Sequence, residues 1–141
     1  MAVTAKALFA IEPALNSWLK LGFRSRGITY ARLRLLSALR FGRPRRLLDL
    51  GGELGVTARN VTGLVDALQR DGLVERLPHP NDRRAVLVRL TPAGERVSGE
   101  LLAEQRAAVA ELLAKLPEAD QRSLLRALES LRAVLARHPE P

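Results

Sequence analysis

VTARNVTGLVDALQRDGLVERLPHPNDRRAVLVRLTPAGE, residues 56–95, decides the fold. Thr57 stands where a helix N-cap is wanted, because its hydroxyl can accept from the open N–H groups of a first turn. The helix is expected over 58–71, since Val61, Leu64, Val65 and Leu68 share one face at helical spacing. Gly72 stops it, as a glycine can take the left-handed conformation that closes a helix. Strands are expected at Val74–Leu77 and Ala85–Leu90, with Val86 and Val88 on one face and Leu87 on the other. Between them Pro78-His79-Pro80-Asn81-Asp82-Arg83-Arg84 is a charged, turn-rich tip. Thr91-Pro92 then reads as a cap followed by a first-turn proline, the start of another helix.

Upstream, a short helix is expected over 47–54, ending at Gly55. Two short helices joined by a tight turn form a helix-turn-helix, and the hairpin directly after makes it a winged one. Gly51 and Gly52 lie in the first of these helices, and each costs ~1 kcal/mol against Ala. That helix is therefore expected to be short or poorly ordered. Thr29 can cap a helix over 30–41, with Leu33, Leu36 and Leu39 or Phe41 inward, and Gly42-Arg43-Pro44 breaks it. Leu8, Ile11, Leu15, Trp18 and Leu19 mark an amphipathic helix over 3–21, which Pro13 should kink or restart. Gly22 to Gly27 reads as a basic loop. Downstream, a helix of ~39 Å is expected from Thr91 to Leu116 at 1.5 Å per residue. Pro117-Glu118 restarts a last helix, where Leu124, Leu128, Leu131 and Leu135 form a helix-pairing seam.

The length, 141 residues, suits one compact domain, or one plus an extended helical appendage. It is too short for a barrel enzyme or a two-domain dehydrogenase. Hydrophobic residues make up 47% and aromatics only 4%, so the core must be built from Leu, Val and Ala. The absence of Cys excludes disulfides, Cys-ligated zinc, iron–sulfur clusters and thiol redox sensing. With two His, His79 and His138, no metal site is expected; nor is any cofactor or catalytic set, so the chain reads as a non-enzyme. No apolar run approaches ~20 residues, so no membrane span is expected. Glu12 and Pro13 interrupt any signal-like stretch, and a cytoplasmic protein is expected.

The formal charge of +8 suggests an anionic partner, nucleic acid being the usual one. Its location decides between that and a mere preference for Arg. Residues 1–39 carry a net +5, residues 40–96 a net +4 and residues 97–141 a net −1. All the excess precedes residue 97. The expected central helix turns Ala58, Arg59, Thr62, Gly63 and Asp66 outward. Such a small-residue face can enter a major groove about 12 Å wide, where Arg59 and Asn60 can bond base edges. The tip offers Arg83 and Arg84 on a hairpin able to reach a minor groove, and Asp82 can hold the Arg84 guanidinium. Candidate nucleic-acid contacts are therefore Thr57, Arg59, Asn60, Thr62, Gly63, Asp82, Arg83 and Arg84. Thr57 is a structural cap first and a phosphate contact second. His79 reads as an ordinary wing residue. Trp18, Phe23 and Tyr30 read as core, although Trp18 and Tyr30 are also the aromatic walls a small ligand would need.

The quoted stretch resembles the recognition helix and wing of MarR-type transcriptional regulators. The resemblance rests on Val61-Thr62 with Leu64-Val65-Asp66, on Gly72-Leu73-Val74-Glu75-Arg76, and on Asp82-Arg83-Arg84 leading to Leu90-Thr91-Pro92-Ala93-Gly94. It extends more weakly over nearly the whole chain. It implies a mostly α fold, a winged helix-turn-helix with a two-stranded β-hairpin wing flanked by N- and C-terminal dimerisation helices. Residues 29–92 would be the DNA-binding region, and 1–28 with 93–141 the dimerisation region of one continuous fold. It further implies a homodimeric repressor on double-stranded DNA, with Arg84 in the minor groove steadied by Asp82. A small anionic or phenolic effector would bind between the dimer helices and the winged region and release the DNA. Gly63 departs from the pattern, since many relatives carry a base-reading Arg there, so readout shifts to Arg59 or Asn60. The alternative reading is a winged-helix module that binds nucleic acid or protein without sequence-specific regulation. Leu47–Gly55 also resembles the glycine loop of SAM-dependent methyltransferases, but Glu53 stands where that loop needs glycine and no alternation of strands and helices follows.

Overall fold

A computed structural model describes residues 2–23, 27–40 and 42–139. Along the chain run α1 (Ala2–Phe23), α2 (Tyr30–Leu39), β1 (Arg45–Arg46), α3 (Leu47–Leu54), α4 (Ala58–Arg70), β2 (Val74–Pro78), β3 (Val86–Leu90), α5 (Pro92–Leu113) and α6 (Glu118–Arg137). The chain divides into two compact units, residues 1–102 and 103–141.

In the first unit α4 is the centre of the core. Thr57 caps it, its Oγ1 accepting from the Asn60 N–H at 3.1 Å. Val61, Val65 and Leu68 are fully buried against Leu50 and Leu54 of α3, Leu35, Leu36 and Leu39 of α2, and Val74, Val88 and Leu90 of the sheet. Each such side chain contributes roughly 1.5–3 kcal/mol through apolar burial. Leu64 is only partly buried, at the edge of the stripe. Leu33 turns to a second cluster with Leu101, flanked by Ile28, Tyr30 and Val97.

Both glycines of α3 are helical, so the expectation of a disrupted helix gives way to a reason for one of them. A Cβ on Gly51 would lie 3.3 Å from Val61 Cγ1 and 3.4 Å from the Val56 carbonyl. The missing side chain lets α3 approach α4 closely. Gly52 faces open space and has no such role.

The hairpin forms as expected, β2 pairing antiparallel with β3 from Val74↔Leu90 to Pro78↔Val86. Val88 and Leu90 face the core, while Val86 is exposed and Leu87 half-buried. A third strand joins it. β1 pairs with the free edge of β3, Arg45↔Val88 and Arg46↔Leu87, giving the order β1-β3-β2. Two arginines carry no apolar alternation, so nothing local marks them as a strand.

Four boundaries move. α1 runs unbroken through Pro13 and takes in Gly22, so no helix restarts there. α2 ends at Leu39, with Arg40 as its cap; Phe41 lies outside the described residues, as do residues 24–26 of the expected loop. α4 ends at Arg70, capped by Asp71, and Gly72 follows at φ 72°. α5 ends at Leu113, three residues early, because the Lys115 and Leu116 N–H groups turn back to Leu112 and Leu113.

The start of α5 is fastened to the turn after α4. The Thr91 N–H donates to the Leu73 carbonyl at 3.1 Å. Its hydroxyl donates to the Gly72 carbonyl at 2.6 Å and accepts from the Gly94 N–H at 3.0 Å. Gly94 lies flat on Leu73, where an added Cβ would be 1.9 Å from the carbonyl oxygen.

The second unit holds the last turns of α5 and the whole of α6. No α6 residue is buried, and Leu125, Leu128, Leu131, Val134 and Leu135 are exposed. In the first unit α1 likewise exposes Val3, Leu8, Phe9, Ile11 and Leu21. Among the described residues no helix is long and apolar enough to cross a membrane.

Gly94→Ala should lower stability by about 3 kcal/mol, the upper range for overpacking. Gly52→Ala, in open space, should raise it by about 1 kcal/mol through helix propensity. Urea unfolding of both variants checks this; equal effects would show that the Leu73 contact relaxes freely.

Candidate nucleic-acid interface

The outer face of α4 carries Arg59, Asn60 and Gly63 exposed, so the helix presents the groups its pattern predicts. The Thr57 hydroxyl serves the cap. The Thr62 hydroxyl donates to the Ala58 carbonyl one turn back, at 2.9 Å, so its lone pairs rather than its proton face outward. No atom lies within 4 Å of a Cβ built on Gly63, which leaves room for a larger side chain there.

Asp66 is exposed as expected, but it is tied to the wing. Its Oδ1 accepts from Arg76 Nη2 at 2.6 Å, and Gln69 Oε1 accepts from Arg76 Nη1. Arg76 on β2 thereby ties α4 to the wing. The sequence reading overlooked it, although two acceptors three residues apart on one helix face, followed by an Arg past a tight turn, are a usable signal. On the outer face of the wing Glu75 and Arg89 pair across the strands. Arg45 on β1 pairs with Glu53 of α3.

At the tip Asp82 works differently from the expectation. Its Oδ1 accepts from the backbone N–H of Arg84 at 3.0 Å, and its carbonyl accepts from the Ala85 N–H at 3.1 Å. A carboxylate two residues before a backbone N–H makes a local turn of its own. Asp82 fixes the path of the chain rather than a guanidinium, and Arg83 and Arg84 project exposed from it, with no ion pair among the described residues. A groove of about 400 Å³ runs between this tip and the start of α3, lined by Arg46, Leu48, Asp49, Asp82, Arg84 and Val86.

The aromatic candidates sit away from this surface in the chain. Trp18 is 38% exposed on α1. Tyr30 is half-buried against Leu33 and Leu101, and its hydroxyl donates to Asn16 Oδ1 at 3.3 Å. Among the described residues no group of three or more His, Cys, Asp or Glu could hold a metal ion. Residues 47–54 form a helix, so the strand-to-loop geometry of the methyltransferase motif is not present.

A sequence profile described as the MarR family matches residues 28–86, the region that carries the helix-turn-helix and most of the wing. The transcriptional repressor YetL of Bacillus subtilis is 33% identical over 91 residues, 63% of this chain and 54% of YetL. The multiple antibiotic resistance protein MarR of Escherichia coli is 40% identical over 67 residues, 48% of this chain and 46% of that protein. The chain thus spans about half the length of the curated relatives it matches. A solved structure of the multiple antibiotic resistance repressor MarR superposes with a TM-score of 0.82 at 28% identity, covering 93% of this chain and 94% of that one. The profile matches the helix-turn-helix and most of the wing, the superposed fold extends the likeness over nearly the whole chain, and the winged helix-turn-helix of this chain is thus similar to that of the MarR family.

Proposed function

We propose that the chain is a homodimeric, sequence-specific binder of double-stranded DNA that represses transcription. The observation that carries this is the pairing of an exposed Arg59-Asn60 face on a firmly packed helix with a wing whose Asp82 turn presents two unpaired arginines. A helix face with little bulk suits a major groove, and Arg84 on a narrow hairpin suits a minor groove. YetL and the superposed structure are both named as repressors, which favours repression here.

The exposed stripes of α1 and α6 support self-association, since apolar helix faces of this extent mark interaction surfaces. A two-fold dimer would set its two α4 helices on half-sites ~34–36 Å apart. A small anionic or phenolic effector would release DNA by preferring another spacing of those helices, with Trp18 and Tyr30 as its candidate walls.

Leu128→Glu combined with Leu131→Glu should turn the dimer into a folded monomer in sedimentation; an unchanged mass would remove α6 from the interface. After selection of bound duplexes from a random pool, Arg59→Ala should lose ~1–3 kcal/mol of discrimination at one base pair. A uniform loss over all sequences would make Arg59 a phosphate contact, and no preference in the wild type would favour an unspecific winged module. Arg84→Ala should weaken binding most where the flanks are A·T-rich and the minor groove narrow. Equal affinity for every flank in a mobility-shift series would contradict that placement.

A further inference from the structure

His79 is more than an ordinary wing residue. Strand register sets Arg46, Leu87 and Leu77 side by side. His79 and Ala85 follow just beyond the ends of β2 and β3, in the loop that joins them. Arg46 is exposed and reaches that loop, its Nη2 lying 3.4 Å from His79 Nε2.

That contact pairs two donors. The backbone N–H of Asn81 donates to His79 Nδ1 at 3.0 Å. A ring nitrogen that accepts carries no proton, so the neutral imidazole bears its proton on Nε2. A guanidinium offers only donors. Both N–H groups therefore lack an oxygen, and 3.4 Å is the spacing at which one oxyanion can accept from both. Charge-assisted N–H···O bonds of about 2.7–2.9 Å fit across that gap. Arg46 is also the N-cap of α3, with no side-chain capping bond, so the positive end of that helix opens at the same place.

We propose that Arg46 and His79 together clamp one backbone phosphate of duplex DNA. The inference rests on the DNA-binding reading and deepens it, adding a contact beyond α4 and the wing tip. His79 stands in the same loop as Arg83 and Arg84, so a duplex engaged by the tip passes beside it. Asp49 and Asp82 line the neighbouring groove together with Arg46. They oppose a free small anion and leave a phosphate delivered by the rest of the interface as the occupant.

Binding of a selected operator and of a random duplex is measured across a salt series for the wild type, Arg46→Ala, His79→Ala, the double variant and His79→Gln. Each alanine should weaken both duplexes alike by about tenfold, the scale of one charge-assisted hydrogen bond. The slope of log K against log salt should fall by about 0.9 for Arg46→Ala. The double variant should bind about as weakly as Arg46→Ala alone, because both groups serve one oxygen. His79→Gln, which keeps an N–H donor, should recover most of the loss. In imidazole ¹⁵N spectra His79 should shift with DNA and not with inorganic phosphate. Unchanged affinity and slope for Arg46→Ala, with the wild type still binding, would overturn the clamp alone. So would a loss confined to one base pair, or saturable binding of inorganic phosphate without DNA. A wild type that binds neither duplex would overturn the DNA-binding reading and the clamp with it.

Discussion

The Leu73 carbonyl accepts the Thr91 N–H, and the bare α-carbon of Gly94 rests on the same carbonyl group. No side chain fits between them. This contact joins the turn that ends α4 to the first turn of α5, and Thr91 reinforces it by bonding Gly72 and Gly94 through one hydroxyl. Arg40, the cap of α2, adds a second fastening, with Nη1 donating to the Glu95 carbonyl and to Ser98 Oγ, both at 3.0 Å. The first two turns of α5 are thus held from two sides. A displacement of that helix start would be carried to α4 and the wing root rather than absorbed in a slack turn. Packed elements of this kind shift as bodies and do not deform gradually.

The same economy places α4 itself. Its inner face is fixed by apolar contact with α2 and the sheet, and Gly51 lets α3 come near enough to close the third side. Its outer face is then free to be small and polar. Arg76 supplies the remaining restraint, holding Asp66 and Gln69 so that helix and hairpin keep one relative orientation. Each of these pairs is weak alone at an exposed site. Together they act on a hairpin already anchored through Val74, Val88 and Leu90, so little freedom is left for them to remove.

Legibility in the sequence followed the length and regularity of each signal. α4 was readable because four apolar residues repeat within one cap-to-glycine span, and the hairpin because two β-rich runs flank a Pro-rich, Asp-containing tip. β1 was not readable, since its two arginines acquire strand geometry only by pairing with β3. Pro13 misled because a missing N–H costs one hydrogen bond but need not end a helix. Gly51 misled because propensity counts what a glycine loses locally and cannot see Val61 arriving from another helix. The residues of the candidate surface were legible as a set, while their partners were not. Asp82 bonds a backbone N–H, Thr62 its own helix and Asp66 a strand, and a pattern of residue types does not distinguish these from outward contacts.

Those partners change what the charge of +8 means. At the wing root the arginines are balanced, Arg89 by Glu75 and Arg76 by Asp66, and Arg45 is balanced by Glu53 beside them. Among the described residues Arg59, Arg83 and Arg84 have no such partner. Paired charges cancel beyond a few ångströms in salt solution, whereas unpaired ones set the potential a distant polyanion meets. The positive field therefore rises from the root of the wing to its tip and along the exposed first turns of α4. On the proposed DNA-binding reading, a duplex approaching from solution would be drawn to those two edges first, with the ion pairs behind them keeping both edges in place. Arg46, on the strand the sequence hid, lines the groove beside Arg84 and faces His79.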